Sequence, residues 1–349
     1  MDSSAAALLL HREEGRELVG LTMKLFSPEA TAGIDPSCCT ERDILDAKAV
    51  CDALGIAHHV LPLYADFEKH VIDNFIDAYR SGRTPNPCID CNRYLKFEAL
   101  FQRAAEMGCD TVATGHYARV EYDKAAGRYK LKKGADGSKD QGYVLYSLTQ
   151  EQLSRVIFPL GGFTKNEIRT LAAESGLVSA FKRESQDICF IPDGDYAGFI
   201  ERHTGLTFPC GDFIDTSGHV LGRHKGIIHY TVGQRKGLGI SSDEPLYVLS
   251  IDPAANVVTL GREHELYRTT LIARHINLIS VPDLEKPMRV TAKARYRQPE
   301  ARATAVQTGN DELTITFDEP LRAITPGQSV VLYSGDEILG GGMISRADV

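Results

Sequence analysis

The feature that most restricts the fold is the alternation of short apolar runs with amphipathic helical stretches through the first third of the chain. Residues 18–23 (LVGLTM) read as a buried strand. Thr40 is placed to cap a helix, with Asp43 three positions on as a variant capping box; Ile44, Leu45, Val50 and Leu54 give it an apolar face and Gly55 stops it. A strand at 58–63, helical spacing at 71–79 ending at Ser81-Gly82, a strongly amphipathic helix at 94–107 closed by Gly108 and a strand at 111–114 follow. Strands and helices alternating at this spacing build βαβ units and a parallel sheet. Ligands of such sheets bind beyond the carboxyl ends of the strands, and Gly115-His116-Tyr117 falls at one such end.

After Ala118 the pattern changes. Residues 120–122 and 129–131 flank a turn at 124–127 and predict a hairpin; helical stretches follow at 150–156 and 165–175. From Thr207 onward, short alternating segments at 246–251, 257–260, 289–296, 313–317 and 329–333 are separated by Gly, Pro, Asp and Asn, which suggests all-β domains. A linker is expected near 268–276, and no internal repeat is visible. The 349 residues have room for two or three domains. An ordinary 43% hydrophobic and 25% charged content excludes disorder of the whole chain. The apolar stretch 5–10 is far short of the ~20 residues a membrane span needs and has no basic segment before it, so a cytoplasmic protein is expected. Eight cysteines without an export signal read as thiols, metal ligands or catalysts rather than structural disulfides.

The net charge of −8 argues against sequence-blind nucleic-acid binding. Charge is segregated, however. Residues 1–110 carry 11 Lys and Arg against 18 Asp and Glu, residues 119–139 carry 7 against 3, and residues 286–302 carry 6 against 1. A phosphate backbone would meet such basic stretches, although a solvated face is the commoner use of a charge run.

The strongest local signal is Thr84-Pro85-Asn86-Pro87-Cys88-Ile89-Asp90-Cys91-Asn92. Two prolines stiffen a loop before the helix at 94–107, placing Cys91 at or near a helix N-terminus, where the thiolate is favoured and the thiol pKa falls. Cys88-x-x-Cys91 fits a redox pair, half of a zinc site, or one nucleophile with a bystander. Zinc would require a second pair, and the adjacent Cys38-Cys39 make a poor one. Cys51 and Cys109 fall on apolar positions, where inert burial is the ordinary outcome. A second signal is Cys189, with Phe190 and Ile191 after it and Lys182 and Arg183 shortly before; a core cysteine in a short strand is the plainer reading. Lys139-Asp140-Gln141 and Arg295-Tyr296-Arg297-Gln298 fit phosphate contact and base stacking, or a solvated loop and an exposed strand. At the N-terminus, Asp2-Ser3-Ser4 opens a helix with no strand before it; the residues are ordinary helix-start residues or the tail of a phosphate-binding loop.

Taken in order, these segments resemble the bacterial tRNA-specific 2-thiouridylase family. The matching residues are Asp2-Ser3-Ser4, Gly20-Leu21-Thr22-Met23, Asn86-Pro87 with Cys91-Asn92, Thr114-Gly115-His116-Tyr117, Lys139-Asp140-Gln141, Asp187 with Cys189-Phe190-Ile191, the run from Thr231 to Gly239, Arg295-Tyr296-Arg297-Gln298, and Thr325-Pro326-Gly327-Gln328-Ser329. They span essentially the whole chain. The resemblance implies an α/β fold. A parallel-sheet PP-loop domain of the adenine-nucleotide α-hydrolase-like type would occupy 1–195, a small central domain 196–268, and a C-terminal tRNA-binding β-barrel 269–349. It implies ATP, with Mg²⁺, as cofactor, and replacement of the C2 oxygen of the wobble uridine by sulfur in tRNAs for Lys, Glu and Gln. The sulfur would come from an upstream persulfide donor such as a cysteine desulfurase or a sulfur-relay protein; no membrane is involved.

By the same resemblance Cys189 is the persulfide carrier and Cys91 the nucleophile that frees its sulfur, ending in a Cys91–Cys189 disulfide; free hydrosulfide as the attacking species stays open. Asp2, Ser3, Met23 and Gly115 match ATP contacts. Asn86, Pro87 and Cys88 match the loop that touches the target base. His116, Lys139, Asp140, Gln141, Arg295, Tyr296 and Gln328 match tRNA contacts, and no side chain is assigned to a metal. The chain departs from the family in two places. Its PP-loop lacks the Ser-Gly-Gly portion and the strand before it, so weak ATP binding and a destabilised sheet edge are expected, as is a start site set too far downstream. Many members carry Asp where this chain has Cys88. The rival readings are a PP-loop pyrophosphatase acting on a small amide-forming substrate, a tRNA-binding remnant without catalysis, and a Cys-x-x-Cys redox or zinc module.

Overall fold

The computed structural model describes residues 1–26, 40–177 and 188–348. Cys38-Cys39 and the stretch from Lys182 to Asp187 lie outside the described residues. The chain divides into two compact units, one comprising Met1–Val71, Cys88–Gly194 and Asp336–Leu339, the other Ile72–Pro87, Asp195–Gly335 and Gly340–Val349.

In the first unit the expected βαβ pattern is present. Strand Val19–Lys24 leads into helix Glu41–Leu54 and then strand Ala57–Pro62, which pairs parallel to the first, Val19 opposite Ala57 through Lys24 opposite Pro62. Thr40 closes the helix start with a capping box on Asp43, satisfying donors that no helical carbonyl reaches. Gly55 ends it at φ 68°, the left-handed conformation that costs a residue without Cβ nothing. A second parallel pair is formed by Val112–Ala113 and Val156–Ile157, and among the described residues no ladder joins the two pairs. Strand Val19–Lys24 is half-buried along its length, where 18–23 had been expected to be buried.

Helix Asp2–His11 buries Ala5, Ala6, Leu8 and Leu10, packing Ala5 and Ala6 against Tyr117, Leu160 and Ile168. The hairpin Ala118–Asp123 and Arg128–Lys133 forms as expected, and Lys132 and Leu131 pair onward with Glu337 and Ile338. The helix expected over 94–107 starts seven residues earlier. Pro87–Asp90, Cys91–Ala99 and Leu100–Glu106 run end to end, the middle stretch wound as a π-helix. Proline suits a first helical turn, because the N–H it lacks has no helical partner there anyway.

In the second unit, strands Val220–His224, Gly211–Ile214, Val257–Gly261 and Tyr247–Asp252 lie side by side in that order. Strands Tyr267–Leu278, Glu312–Arg322, Ala301–Gly309, Met288–Lys293, Ser329–Ser334 and Glu337–Asp348, of which residues 337–339 count with the first unit, form a ring, since the last pairs back on the first. Closure removes both sheet edges. The linker expected at 268–276 is therefore the first strand of this barrel. Its Leu271 and Ala273, both fully buried, point into the core while the backbone is paired along both sides. Among the described residues no helix is long and apolar enough to cross a membrane.

Candidate functional site: a three-thiol cluster in the first unit

Cys88, Cys91 and Cys189 come together although about a hundred residues separate the first two from the third. The charge that Cys189 would carry as a thiolate reaches the other two, raising the thiol pKa of both Cys88 and Cys91. Two anchors set the position. Asn92, beside Cys91, is buried and donates from Nδ2 to the Val144 carbonyl at 3.2 Å, while Leu95 and Phe97 pin the same helical run into the core. Phe190 and Ile191, next to Cys189, are also buried, and the Phe190 ring meets that of Phe67 edge-on at 5.6 Å. Cys189 lies in a turn rather than the short strand anticipated for it.

Cys91 does not have the low pKa expected of a helix N-terminus. It stands a full turn inside the helix and is half-buried, and loss of solvent pushes its thiol up to about 11, with Lys96 pulling the other way. Cys88 is exposed as a residue, yet enough protein surrounds it that desolvation raises its thiol pKa too, again opposed by Lys96. Asp90, between the two cysteines, is pushed up to about 7 by burial against the pull of Arg93. A carboxyl group titrating near neutrality among thiols is suited to proton exchange. Sequence reasoning missed it, because its burial has no signature in the motif. All the described cysteines, 51, 88, 91, 109, 189 and 210, are thiols. Among the described residues, no group of three or more His, Cys, Asp or Glu side chains is arranged to hold a metal ion.

The residues expected at a nucleotide divide. A Cβ on Gly115 would lie 2.6–2.9 Å from Asp2 and Ser3 backbone and side-chain atoms, so this glycine is what lets the carboxyl end of strand Val112–Ala113 touch the start of the first helix. The first helical hydrogen bond runs from Ala5 N–H to Met1 C=O, which leaves the earlier N–H groups outside the helical ladder beside an exposed Ser3. Helix starts of this kind favour anions, so the residues present fit a phosphate chain. The Asp2 carboxylate accepts two 2.8 Å hydrogen bonds from buried Lys165 and one of 3.2 Å from the Tyr117 hydroxyl; it organises the corner rather than standing open. Met23 lies at the carboxyl end of its strand, opposite Leu61.

The residues expected to contact tRNA are mostly occupied otherwise. His116 is 6% exposed, set between Phe97 and Phe158 with ring centroids 5.8 Å away on each side, which does not fit direct RNA contact. Burial and Lys96 hold its pKa well below the usual histidine value, so the ring is neutral. Nε2 accepts from Lys96 at 3.5 Å, leaving Nδ1–H to donate to Thr114 Oγ1 at 2.7 Å. Asp140 accepts from the Gly134 and Gly142 N–H groups, and Gln141 accepts from Tyr117 N–H; both tie their loop down. In the second unit Arg295 donates to the carbonyls of Val232 and Ala323 and to Thr325 Oγ1. Gln328 donates to the Thr84 and Pro85 carbonyls, bracing the segment that enters Asn86-Pro87. Lys139 is half-exposed, and Tyr296 is exposed. Three of the seven cations in the basic stretch 119–139 are held in ion pairs: Arg119 pairs with Asp336, Lys130 with Asp123 and Glu337, and Lys132 with Glu121 and Asp336.

Comparison with known proteins gives this geometry its relatives. Three family profiles match the chain: the tRNA methyl transferase HUP domain over residues 1–193, the tRNA methyl transferase PRC-barrel domain over 197–262 and the aminomethyltransferase beta-barrel domain over 268–344. The chain is 46% identical over 347 residues to the tRNA-specific 2-thiouridylase MnmA of Clostridioides difficile, covering 99% of this chain and 96% of that protein. It is 51% identical over 348 residues to tRNA-specific 2-thiouridylase MnmA 1 of Caldanaerobacter subterraneus subsp. tengcongensis (99% and 95% covered) and 49% identical over 346 residues to the protein of that name without the numeral in Acetivibrio thermocellus (99% and 96%). A solved structure, the U34-tRNA thiolase NcsA of Methanococcus maripaludis, is 21% identical over 58% of this chain and 63% of that one, at a TM-score of 0.32, too low to bear on the site. With identity near one half sustained over almost its whole length, the chain belongs to the tRNA-specific 2-thiouridylase family.

Proposed function

We propose that the protein is a tRNA-uridine 2-sulfurtransferase that replaces the C2 oxygen of the wobble uridine in tRNAs for Lys, Glu and Gln with sulfur, at the expense of ATP with Mg²⁺, in the cytoplasm. The observation that carries this reading is the meeting of Cys88 and Cys91 with Cys189. The chemistry requires two sulfurs within reach of each other, one to bring the atom and one to release it. ATP supplies the means of turning the uridine oxygen from a poor leaving group into a good one. The start of the first helix, with Ser3 and the close approach at Gly115, is the assigned anchorage for its phosphates, and Met23 the remaining contact.

Cys189 carries the persulfide received from an upstream donor. Its terminal sulfur bonds to C2, and the C2–O bond breaks as the activated oxygen leaves with the adenylate derived from ATP; the Cys91 sulfur attacks Sγ of Cys189 and breaks the persulfide S–S bond, leaving sulfur on the uridine and a Cys91–Cys189 disulfide. Asn86, Pro87 and Cys88 face the target base. Lys139 and Tyr296 touch RNA, whereas His116, Asp140, Gln141, Arg295 and Gln328 support the surfaces that do so. A wobble uridine is nearly unpaired in its loop, so presenting it to the site costs little.

The test is thiolation of a tRNA transcript, read by retardation in a mercury-containing gel. Cys91→Ala and Cys189→Ala are each expected to abolish the shifted band while leaving tRNA affinity within about threefold, because phosphate contacts dominate such binding. Normal thiolation by either variant refutes the relay. Absent thiolation by the unaltered chain, with tRNA binding intact, supports the alternative of a tRNA-binding remnant.

A further inference from the structure

The sulfur relay leaves Cys91 and Cys189 joined, and the fold holds a third sulfur beside them. Cys88 and Cys91 are three positions apart on continuous helical backbone. Helical rise and rotation put their Cα atoms about 5 Å apart, inside the roughly 4.4–6.8 Å range that disulfides span. The pair is unequal: Cys88 is exposed, and Cys91 is half-buried. All three cysteines belong to one unit, and each of the pair is within electrostatic reach of Cys189. A disulfide between Cys91 and Cys189 has one end half-buried in the helix, awkward for an outside reductant. A disulfide between Cys88 and Cys91 has one sulfur at an exposed residue.

We propose that Cys88 is the resolving thiol of the catalytic cycle, transferring the disulfide from Cys91–Cys189 to Cys88–Cys91 and so freeing Cys189 to be charged again. The inference rests on the relay proposed above. In the step, the Cys88 sulfur, as thiolate, attacks Sγ of Cys91. The Cys88–Cys91 bond forms, the Cys91–Cys189 bond breaks, and Cys189 leaves with the electron pair and takes up the proton that Cys88 gave up. The exchange has no net oxidation; a dithiol then reduces Cys88–Cys91 and is itself oxidised to its disulfide. Exchange needs an attacking, a central and a leaving sulfur, and the three cysteines supply one of each.

The experiment is a peptide map of the full chain after a single turnover. Enzyme carrying a persulfide on Cys189 is mixed with tRNA transcript and ATP without reductant, quenched with iodoacetamide and digested with trypsin without reduction. Cys88 and Cys91 fall in one tryptic peptide, 84–93, and Cys189 in another, 184–202. In the unaltered protein the expected result is an internal disulfide in 84–93 and an alkylated 184–202. In Cys88→Ser the two peptides are cross-linked through Cys91 and Cys189, and with a monothiol as the only reductant later turnovers slow at least tenfold relative to the first. Cys88→Ala, which also lacks the thiol, reproduces the cross-link. A cross-link between 84–93 and 184–202 in the unaltered protein, persisting as in the variant, overturns the resolving role and leaves the relay standing. Thiolated tRNA with no disulfide in either protein overturns the relay and this inference with it.

Discussion

A Cys91 thiol held near 11 makes a quantitative demand on its reactivity. A free cysteine with pKa about 8.5 is roughly 3% thiolate at pH 7, whereas a pKa of about 11 leaves roughly one molecule in ten thousand. The shortfall is about 300-fold. Thiolates of higher pKa are better nucleophiles, with a Brønsted slope of roughly 0.4–0.5, so the 2.5-unit difference recovers about tenfold. Alkylation of Cys91 by iodoacetamide at pH 7 is therefore expected to be about 20–30 times slower than that of a free cysteine on these two effects alone. Partial burial widens the gap. The rate should rise about tenfold per pH unit between pH 7 and 10, because it follows the thiolate fraction below the pKa. Lys96→Met removes the cation that lowers this pKa and should slow the reaction further. The assay is time-resolved alkylation with fragment-ion assignment within peptide 84–93, which separates Cys91 from Cys88. A Cys91 that reacts at pH 7 as fast as free cysteine, or whose rate is flat between pH 7 and 9, refutes the claim that desolvation outweighs Lys96 and the helix.

Two further outcomes follow from neutral His116 and from Gly115. The folded-state pKa of His116 is depressed, so below about pH 6.5 the unfolded chain binds a proton that the folded chain refuses. Its contribution is intact above that pH and is lost as pH falls, by up to about 1.4 kcal/mol per unit; urea unfolding should show His116→Gln losing less stability between pH 7 and 5.5 than the unaltered protein, and equal losses would show that the ring is not held neutral. Gly115→Ala places a methyl group 2.6 Å from the Asp2 carbonyl carbon, so the first helix must shift. If that helix start anchors the ATP phosphates, ATP affinity by calorimetry should fall at least tenfold while tRNA affinity holds, and an unchanged ATP affinity removes the anchorage.

Local chemistry was legible in the sequence wherever one segment decides it. Thr40 with Asp43, Gly55 and the 124–127 turn act over a few residues, and they appear where the pattern put them. The linker reading of 268–276 failed because RTTLIARHI is polar enough to resemble a connection; only pairing with two distant strands makes it the first stave of a barrel. The helix carrying Cys91 was begun too late for a related reason. Asn-Pro-Cys reads as loop by propensity, yet proline fits a first helical turn, and the helix takes in the whole Pro87–Asp90 stretch.

That earlier start changes the chemistry at the site. Cys91 moves from the end of the helix, where dipole and solvent both favour a thiolate, to a position one turn in where desolvation dominates. The same shift puts Asp90 within the helix at a pKa of about 7 and leaves the exposed position to Cys88. Which cysteines to look at was thus readable, but their protonation states were not, since those depend on what distant residues exclude water. A thiol near 11 does not wait as a thiolate at neutral pH; it becomes a nucleophile only as its proton is removed. If the proposed relay operates, its rate should therefore follow the removal of the Cys91 proton as well as the sulfur supply.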